Sequence, residues 1–400
     1  MNNLFEEAKK INGDLVNWQR HLHKNPEVGM ELPKTTAFVM EKLREMGYEP
    51  VEICKSGVMA LAGGKKPGKT FLIRGDMDAL PMAEETGLPH EAKNGYMHAC
   101  GHDFHTSMML GAAQLLKNHE DEIEGTVKLM FQPAEENLQG AKAMLEEGIL
   151  ENPAVDAAMM IHVFADVPYK PGTVVFPGGG PVGTTSDWFH IKINGKGGHG
   201  STPHLTIDPL NAAAHIYTGL SEIISREVDP VKMAVVTVGE MHGGTTGNII
   251  PDTAFLQGTI RTFDDNLREF IKKRVAEIAN SICEAFRCKA EVRLFNACPV
   301  VFNNKDLNDN LAKYNMDLLG PEIVMDYEAE NDDTHRMNGS EDFAYVCEKV
   351  PAVLVKLMAQ GNKGGVNFPH HHPNVIFDES VLATGAAVYA NSALKWLENN

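Results

Sequence analysis

Short apolar segments that alternate with helical stretches are the feature that most limits how this chain can fold. Apolar runs begin at Phe71, Val127 and Ala157, and segments with helical spacing separate each run from the next. A strand that is apolar on both faces must be covered on both faces, and strands that alternate with helices form parallel sheets. The pattern predicts an α/β fold, with a mixed, mostly parallel sheet and helices on both faces.

The pattern changes near residue 185, where half-exposed strands replace the buried ones. Over 186–297 the spacing of apolar residues predicts the order β-α-β-β-α-β, which is typical of a ferredoxin-like unit with adjacent ends. The first pattern then resumes. The sequence therefore predicts one domain formed by 1–185 and 298–400, interrupted by an inserted α+β domain, as expected for 400 residues at about 150 per domain.

Composition excludes several classes of function. The formal net charge of −18 repels phosphate backbones, which argues against a nucleic-acid partner. Six cysteines without a Cys-x-x-Cys pair are too sparse for a disulfide framework. The first residues, MNNLFEEAKK, do not resemble a secretory signal, and no apolar run approaches the ~20 residues of a membrane span. We expect a cytoplasmic protein without a membrane partner.

The segment HACGHDFHTS at 98–107 gathers side chains that bind metals. Cys100 and His102 are two residues apart, and from an extended backbone this spacing lets a thiolate and an imidazole face one point. Loops at strand ends are also where α/β sheets place their sites. The alternative is a small buried cysteine beside a helix over about 105–117. We expect Asp103 to cap that helix in either case.

Two adjacent carboxylates, Glu135 and Glu136, follow the strand that begins at Val127. Beside a buried strand both need a positive partner. Because side chains alternate along an extended segment, one can bind a metal while the other faces the water that the metal carries. An acidic helix start is the alternative.

Further candidate ligands lie at other strand ends. His162 closes the strand that begins at Ala157, although a satisfied core histidine is its ordinary interpretation, and three histidines precede Pro373. Asp78 either orients a histidine ligand or forms an Asx-turn. Five ligands exceed one tetrahedral site with room for water, and their mixed chemistry predicts two divalent transition-metal ions: zinc, manganese, cobalt or nickel. The five are Cys100, His102, Glu136, His162 and a histidine near 371.

The inserted domain carries a second polar cluster. His199 lies between glycines, Asn248 precedes Pro251, and Arg261 lies on the face of its strand that points away from the core. A guanidinium, an amide and an imidazole suit a substrate carboxylate and a developing oxyanion. An exposed strand arginine is the ordinary alternative for Arg261.

The chain resembles the N-acyl-amino-acid amidohydrolases, the branch of the aminoacylase and carboxypeptidase metallopeptidases that includes hippurate hydrolases and auxin-conjugate hydrolases. The motifs occur in the family's order through nearly the whole chain: RGDMDALPM, HACGHDFHTSMMLGAA, FQPAEE, IHV, GKGGHGSTPH, NIIPDTA, GTIRTF, GSEDFAY and a late His-x-Pro. The resemblance implies a two-metal site in a catalytic domain interrupted by a ferredoxin-like lid or dimerisation domain. The implied ligands are Cys100, His102, Glu136, His162 and, registered on Pro373, His371.

The resemblance also implies the roles of the remaining residues. Glu135 acts as general base and acid, His199 reaches the active site of a second subunit, and Asn248 and Arg261 hold the substrate. Gly339 lines the pocket. The implied reaction is hydrolysis of a small N-acyl amino acid, of acetyl or benzoyl type, by a homodimer or higher homo-oligomer. The alternatives are a dipeptidase or carboxypeptidase, an N-acetyl-diaminopimelate deacetylase and, from another class, a non-catalytic metal-binding protein.

Overall fold

The computed structural model describes residues 4–165, 167–327 and 336–400, and these divide into two compact units. The large unit comprises the described residues of Met1–Val182, Val301–Arg336 and Glu341–Asn400, and the inserted unit comprises Gly183–Val300 and Met337–Ser340. Each unit has its own hydrophobic core. No helix in the described part of the chain has both the length and the apolar character needed to cross a bilayer.

The chain builds most of the large unit before it enters the inserted one. The helices here are α1 (Leu4–Lys10), α2 (Asn12–Lys24), α3 (Pro33–Glu45), α4 (His102–Asn118) and α5 (Gly140–Glu146). The strands are β1 (Val51–Ile53), β2 (Gly57–Gly63), β3 (Thr70–Asp76), β4 (Thr126–Gln132), β5 (Ala157–Phe164), β6 (Val174–Phe176) and β7 (Gly180–Gly183).

The inserted unit contains β8 (Ser186–Asn194), β9 (Gly198–His199), α6 (Pro209–Glu222), β10 (Ala234–Gly243), β11 (Ile249–Ile250), β12 (Thr253–Thr262), α7 (Asp265–Ala285) and β13 (Lys289–Cys298). The chain then returns to the large unit with β14 (Val301–Asn303), α8 (Lys305–Leu319), β15 (Val324–Asp326), α9 (Ala344–Cys347), β16 (Ala352–Met358) and α10 (Leu382–Glu398).

One eight-stranded sheet organises the large unit, in the order β1-β2-β4-β3-β5-β16-β6-β15. The central strands β4, β3, β5 and β16 are mutually parallel and buried along nearly their whole length, because helices cover the sheet. The pairs β1–β2, β2–β4 and β16–β6 are antiparallel. The predicted mixed, mostly parallel α/β sheet is therefore confirmed, and its parallel centre brings the ends of β3, β4 and β5 to one edge.

The inserted unit is a four-stranded antiparallel sheet in the order β10-β12-β8-β13, with α6 and α7 packed on it. Along β12, Leu256, Gly258 and Ile260 are buried, whereas the alternate residues, Arg261 among them, are half-buried. The order β-α-β-β-α-β is as predicted. The function of this unit as a lid or dimerisation domain stays a prediction.

Helices α1 and α2 are separated at Ile11, where the following Asn12 and Gly13 have low helix propensity. One helix prediction is wrong in detail. Helix α4 begins at His102, three residues before the predicted start. This earlier start changes how the candidate ligands beside it are held.

Candidate metal centre

Gly101 sets the direction of the two candidate ligands beside it. It is the N-cap of α4 and has a φ of 84°, in the left-handed region. A Cβ at this position would lie 2.3 Å from Cγ2 of Val163, so that only glycine fits without displacing β5. Cys100 and His102 therefore flank a tight turn, rather than sharing the extended backbone that the sequence predicted.

Asp103 does not cap the helix. It is the second residue of α4, and its carboxylate instead accepts hydrogen bonds from Gln19 Nε2 at 2.7 Å and His23 Nδ1 at 2.8 Å. Both partners lie on α2. The carboxylate thus ties the start of α4 to a neighbouring helix, and the cap prediction was wrong because the helix starts two residues too early for it.

Each ring of His102 and His162 has one nitrogen engaged and the other directed into the site. His102 Nδ1 donates to the backbone carbonyl of Asp78 at 2.8 Å, and His162 Nδ1 donates to that of Val163 at 2.7 Å. In the neutral form of each ring this leaves a lone pair on Nε2, and the buried Nε2 of His102 has no hydrogen-bond partner among the described residues. A backbone carbonyl on one ring nitrogen is the usual means of presenting the other to a metal.

The separation of Cys100 and His162 matches that of two ligands on one ion. Sγ of Cys100 lies 3.6 Å from Nε2 of His162. Two ligands of a tetrahedral zinc, with bonds of about 2.3 Å to sulfur and about 2.0–2.1 Å to nitrogen, lie about 3.5–3.6 Å apart. Burial lowers the pKa of His162 well below its usual value, so that the ring is neutral, as a ligand must be.

Hydrogen bonds distinguish the three histidines that precede Pro373. His370 Nε2 accepts from the backbone of Ala165 at 3.0 Å, and His372 Nδ1 accepts from the backbone of Asn374 at 3.1 Å, so that in each neutral ring the other nitrogen carries the proton. His371 makes no side-chain hydrogen bond to the described residues. Its Nε2 lies 3.6 Å from Oε2 of Glu136, and its φ of 60° is unusual for a residue with a side chain.

Asp78 fixes the turn that carries the two glutamates. Its carboxylate accepts from the backbone of Glu135 at 3.0 Å and of Glu136 at 3.3 Å. Both glutamates are largely buried, and this desolvation raises the pKa of Glu136 to about 7 and that of Glu135 well above its usual value. The turn is not the solvated helix start that was the alternative. Without a cation, the charged form of each carboxyl is unfavourable here.

The donor atoms form overlapping groups that fit two metal ions. In each group the atoms lie within 4.8 Å of one another: Cys100, His102 and His162; Cys100, Glu136 and His371; His102, Glu135 and Glu136. The buried Oε1 of Glu136, like Nε2 of His102, has no hydrogen-bond partner in the described part of the chain. Unsatisfied donors of this mixed sulfur, nitrogen and oxygen chemistry fit divalent transition metals rather than calcium or magnesium.

A buried network behind these groups was not predicted from the sequence. The fully buried Arg74 donates to Asp76 at 2.7 Å, to Glu341 at 2.8 Å and to Asp342 at 3.0 Å. Asp76 in turn accepts from His105 at 2.5 Å. The available signals were an arginine that ends an apolar strand and the acidic pair of GSEDFAY. Neither indicates by itself that the two segments meet.

The predicted substrate-binding residues all lie in the inserted unit, in two places. His199 in β9 pairs with Ile249 in β11, which follows Asn248, and Ser201 donates to its Nδ1 at 3.1 Å, leaving an exposed Nε2–H. Arg261 donates to Oγ of Ser340 at 2.9 Å, next to Gly339. The structure thus groups His199 with Asn248, and Arg261 with Gly339. Their roles stay predictions.

Known proteins resemble this chain over nearly its full length. Residues 72–395 match the model of peptidase family M20/M25/M40. The chain is 37% identical over 399 residues to thermostable carboxypeptidase 2 of Saccharolobus solfataricus, and the alignment covers 98% of each protein. It is 36% identical over 409 residues to N-acetyl-L-cysteine deacetylase of Bacillus subtilis, covering 99% of this chain and 92% of that one. The crystal structure of the YXEP protein of Bacillus subtilis, described as a dinuclear metal-binding peptidase from the M20 family, has a TM-score of 0.80 at 33% identity, covering 98% of this chain and 100% of the other.

Proposed function

Since the chain belongs to peptidase family M20/M25/M40, as an amide-bond hydrolase, we propose that it cleaves small N-acyl amino acids to a free amino acid and a carboxylic acid. The observation that carries this proposal is the convergence of Cys100 Sγ, His102 Nε2 and His162 Nε2 beside the buried carboxylate of Glu135. A site for metal binding alone would need no carboxylate at Glu135 in addition to the candidate ligand Glu136. The name of the deacetylase relative supports an acyl amino acid as substrate.

Two divalent transition-metal ions would be held by five ligands, with zinc, manganese, cobalt and nickel as the candidates. The five are Cys100, His102, Glu136, His162 and His371. Ions bound there would lower the pKa of a water and polarise the acyl carbonyl. The ligands are held by groups already described: Asp78 orients His102 through its carbonyl and anchors the backbone of Glu136 through its carboxylate.

Glu135 is the general base and acid of the proposed reaction. It takes a proton from the attacking water as the oxygen of that water bonds to the acyl carbon, and it returns the proton to the nitrogen as the carbon–nitrogen bond breaks. Its position is fixed at the backbone by Asp78, and burial favours the protonated form that the second step needs. The same carboxylate can therefore serve both steps.

The inserted unit supplies the remaining groups in this proposal. The exposed Nε2–H of His199 is suited to donate to the oxyanion, and Asn248, Arg261 and Gly339 hold the substrate. His199 acts in the site of a second subunit, so that the working enzyme is a homodimer or higher homo-oligomer. We propose a cytoplasmic location, where its six cysteines, which include no Cys-x-x-Cys pair, would remain reduced.

The test separates the roles of the two adjacent glutamates. Glu135→Gln should lower kcat by about 10²-fold or more, while the protein keeps nearly all its bound metal. Glu136→Gln should lose metal, and activity with it. Metal content by elemental analysis and hydrolysis by amine release are measured on both proteins. Equal metal loss in the two variants would contradict the assignment, and full activity of Glu135→Gln would refute it.

A carboxypeptidase or dipeptidase is the second candidate, because the Saccharolobus solfataricus relative is named a carboxypeptidase. Steady-state assays of the metal-loaded protein on N-acetyl amino acids, N-benzoyl amino acids and dipeptides separate the two. We expect the highest kcat/KM on an N-acyl amino acid. A preference for dipeptides of tenfold or more would favour the second candidate.

A further inference from the structure

His370 is a half-buried histidine that the proposed ligand set does not use. Its ring packs between those of His162, whose centroid is 5.5 Å away, Phe164 and Phe377. Its Nδ1 lies 3.7 Å from Sγ of Cys100. A half-buried polar ring in contact with a candidate metal ligand requires an explanation beyond packing.

The hydrogen bonds of His370 fix where its proton lies. The backbone N–H of Ala165 can only donate, so Nε2 of His370, 3.0 Å away, must present a lone pair. A ring nitrogen that accepts this hydrogen bond carries no proton, so the ring is neutral. A neutral ring with its lone pair on Nε2 carries its proton on Nδ1. Nδ1 therefore faces the sulfur as a donor and is not available as a metal ligand.

His162, the other imidazole within 4 Å of the sulfur by hydrogen-bond geometry, does not donate to it. His162 Nδ1 donates to the carbonyl of Val163, so that its Nε2, 3.6 Å from the sulfur, is without a proton. Of these two imidazoles, one presents a lone pair toward Cys100 and the other presents an N–H. This is the arrangement expected where one ring shares a metal with a thiolate and the other donates to that thiolate.

We propose that His370 is a positioning residue whose Nδ1–H donates a hydrogen bond to the metal-bound thiolate of Cys100. The inference rests on the proposed function, because it takes Cys100 as a metal ligand. The hydrogen bond fixes the direction of the sulfur toward the metal and stabilises its lone pairs. Such a bond raises the energy of thiolate-to-metal charge transfer, because it stabilises the sulfur orbitals.

Cobalt(II) provides a direct measure, because a cobalt–thiolate bond has a charge-transfer band in the near ultraviolet. His370→Phe keeps the aromatic volume but removes the donor, and we expect the band to move to longer wavelength. His370→Asn places an amide N–H near the position of Nδ1 and should restore the band toward that of the wild type. His372→Phe is the matched control, since His372 stacks on Phe368 and bonds Asn374, and it should leave the band unchanged.

Cobalt affinity, measured by competition with a chelator, is the second measurement. Loss of a residue that supports a ligand typically weakens metal affinity about 10–100-fold, and we expect this range for His370→Phe with recovery in His370→Asn. An unchanged band in His370→Phe, or equal shifts in the Phe and Asn variants, would overturn the proposal. A wild-type protein without any thiolate band would overturn it together with the assignment of Cys100 in the proposed function.

Nitrogen NMR of the wild-type protein tests the tautomer directly and needs only one folded substitution of His370, for assignment. With ¹⁵N-histidine label and zinc bound, the signals missing from His370→Gln or any other folded substitution identify the ring. We expect His370 to have a protonated Nδ1 and an unprotonated Nε2. The opposite tautomer would overturn the proposal, even if the enzyme is fully active.

Discussion

Single hydrogen bonds decide which histidine nitrogens a metal could use. In His102 and His162 the Nδ1–H donates to a backbone carbonyl, which leaves Nε2 for a metal. In His370 a backbone N–H donates to Nε2 instead. A sequence contains the histidines but not their tautomers, because the partners are backbone groups brought close by folding. The register on Pro373 therefore selected His371 by resemblance alone. The structure supplies a physical reason for that choice, which stays a prediction.

Removal of the charge at Glu136 should change how the stability of the metal-free protein depends on pH. The pKa of Glu136, about 7 when folded, lies above its value of about 4.3 in an unfolded chain. The protonated carboxyl therefore contributes stability that is fully present below about pH 4.3 and is lost as the pH rises through 7. The loss amounts to about 4 kcal/mol, at 1.36 kcal/mol per pKa unit.

Glu136→Gln has no such titration, so that above pH 7 it should be the more stable of the two proteins by up to that amount. Urea denaturation of both metal-free proteins between pH 5 and pH 8 measures the difference. Glu49→Gln, at an exposed glutamate, is the control and should follow the wild type. A difference that stays constant with pH would show that burial does not hold a proton on Glu136.

At the scale of elements, the start of α4 carries the largest error of the sequence analysis. The polar residues His102 and Asp103 resemble a loop followed by a cap, so the helix was placed from 105. Gly101, with its left-handed φ, starts the helix earlier. A glycine is needed there because a side chain would overlap Val163, a residue of β5 sixty-two positions away. Local propensity contains no information on that contact, although a glycine between two candidate ligands was a visible signal.

Gly101→Ala should therefore damage both stability and metal binding. The left-handed φ costs about 1–2 kcal/mol for a residue with a side chain, and overlap with Val163 adds about 1–3 kcal/mol. We expect a loss of about 2–5 kcal/mol in the free energy of unfolding, with weaker metal binding because Cys100 and His102 move. Gly95→Ala is the control: its φ is similar, at 85°, but a Cβ there meets no atom within 4 Å.

The control should lose only the strain of about 1–2 kcal/mol and bind metal normally. Chemical denaturation and cobalt titration of the two variants make the comparison. If both variants lost stability equally and kept their metal, the contact with Val163 would have no part in holding the ligands.

Elements far apart in the chain meet at Arg74, and this also exceeded what the sequence could predict. Arg74 near the end of β3 contacts Glu341 and Asp342, which are more than 260 residues further along. One guanidinium among three buried carboxylates, with Asp76 the third, is stable only because all of them meet. The sequence indicated the strand and the acidic pair separately, since pairing between distant segments leaves no mark in local periodicity.

At the scale of the whole molecule, periodicity predicted the sheet's centre and the order of the inserted unit, and ordered motifs predicted the family, which is confirmed. Among the missed strands of this sheet, β1, β6 and β15 have three residues each, too few for a period of two to be recognised, whereas the seven-residue β2 was missed despite its length. The charge of −18 adds a constraint, because an acyl amino acid is itself an anion. Binding must rely on local positive charge, which the two metals and Arg261 would supply in the proposed function.

The division of site residues between the two units leads to a test of the whole assembly. The proposed metal ligands and Glu135 belong to the large unit, and His199 belongs to the inserted one. If His199 acts in the site of a partner subunit, Glu135→Gln and His199→Ala proteins are each inactive but complement one another. A hybrid dimer then holds one site with both residues, so that random exchange restores about a quarter of wild-type activity.

Subunit exchange is verified with differently tagged chains, and two Glu135→Gln preparations mixed in the same way give the baseline. Recovery to about a quarter of wild-type activity places His199 in trans, whereas verified exchange without recovery above the baseline would contradict a shared site.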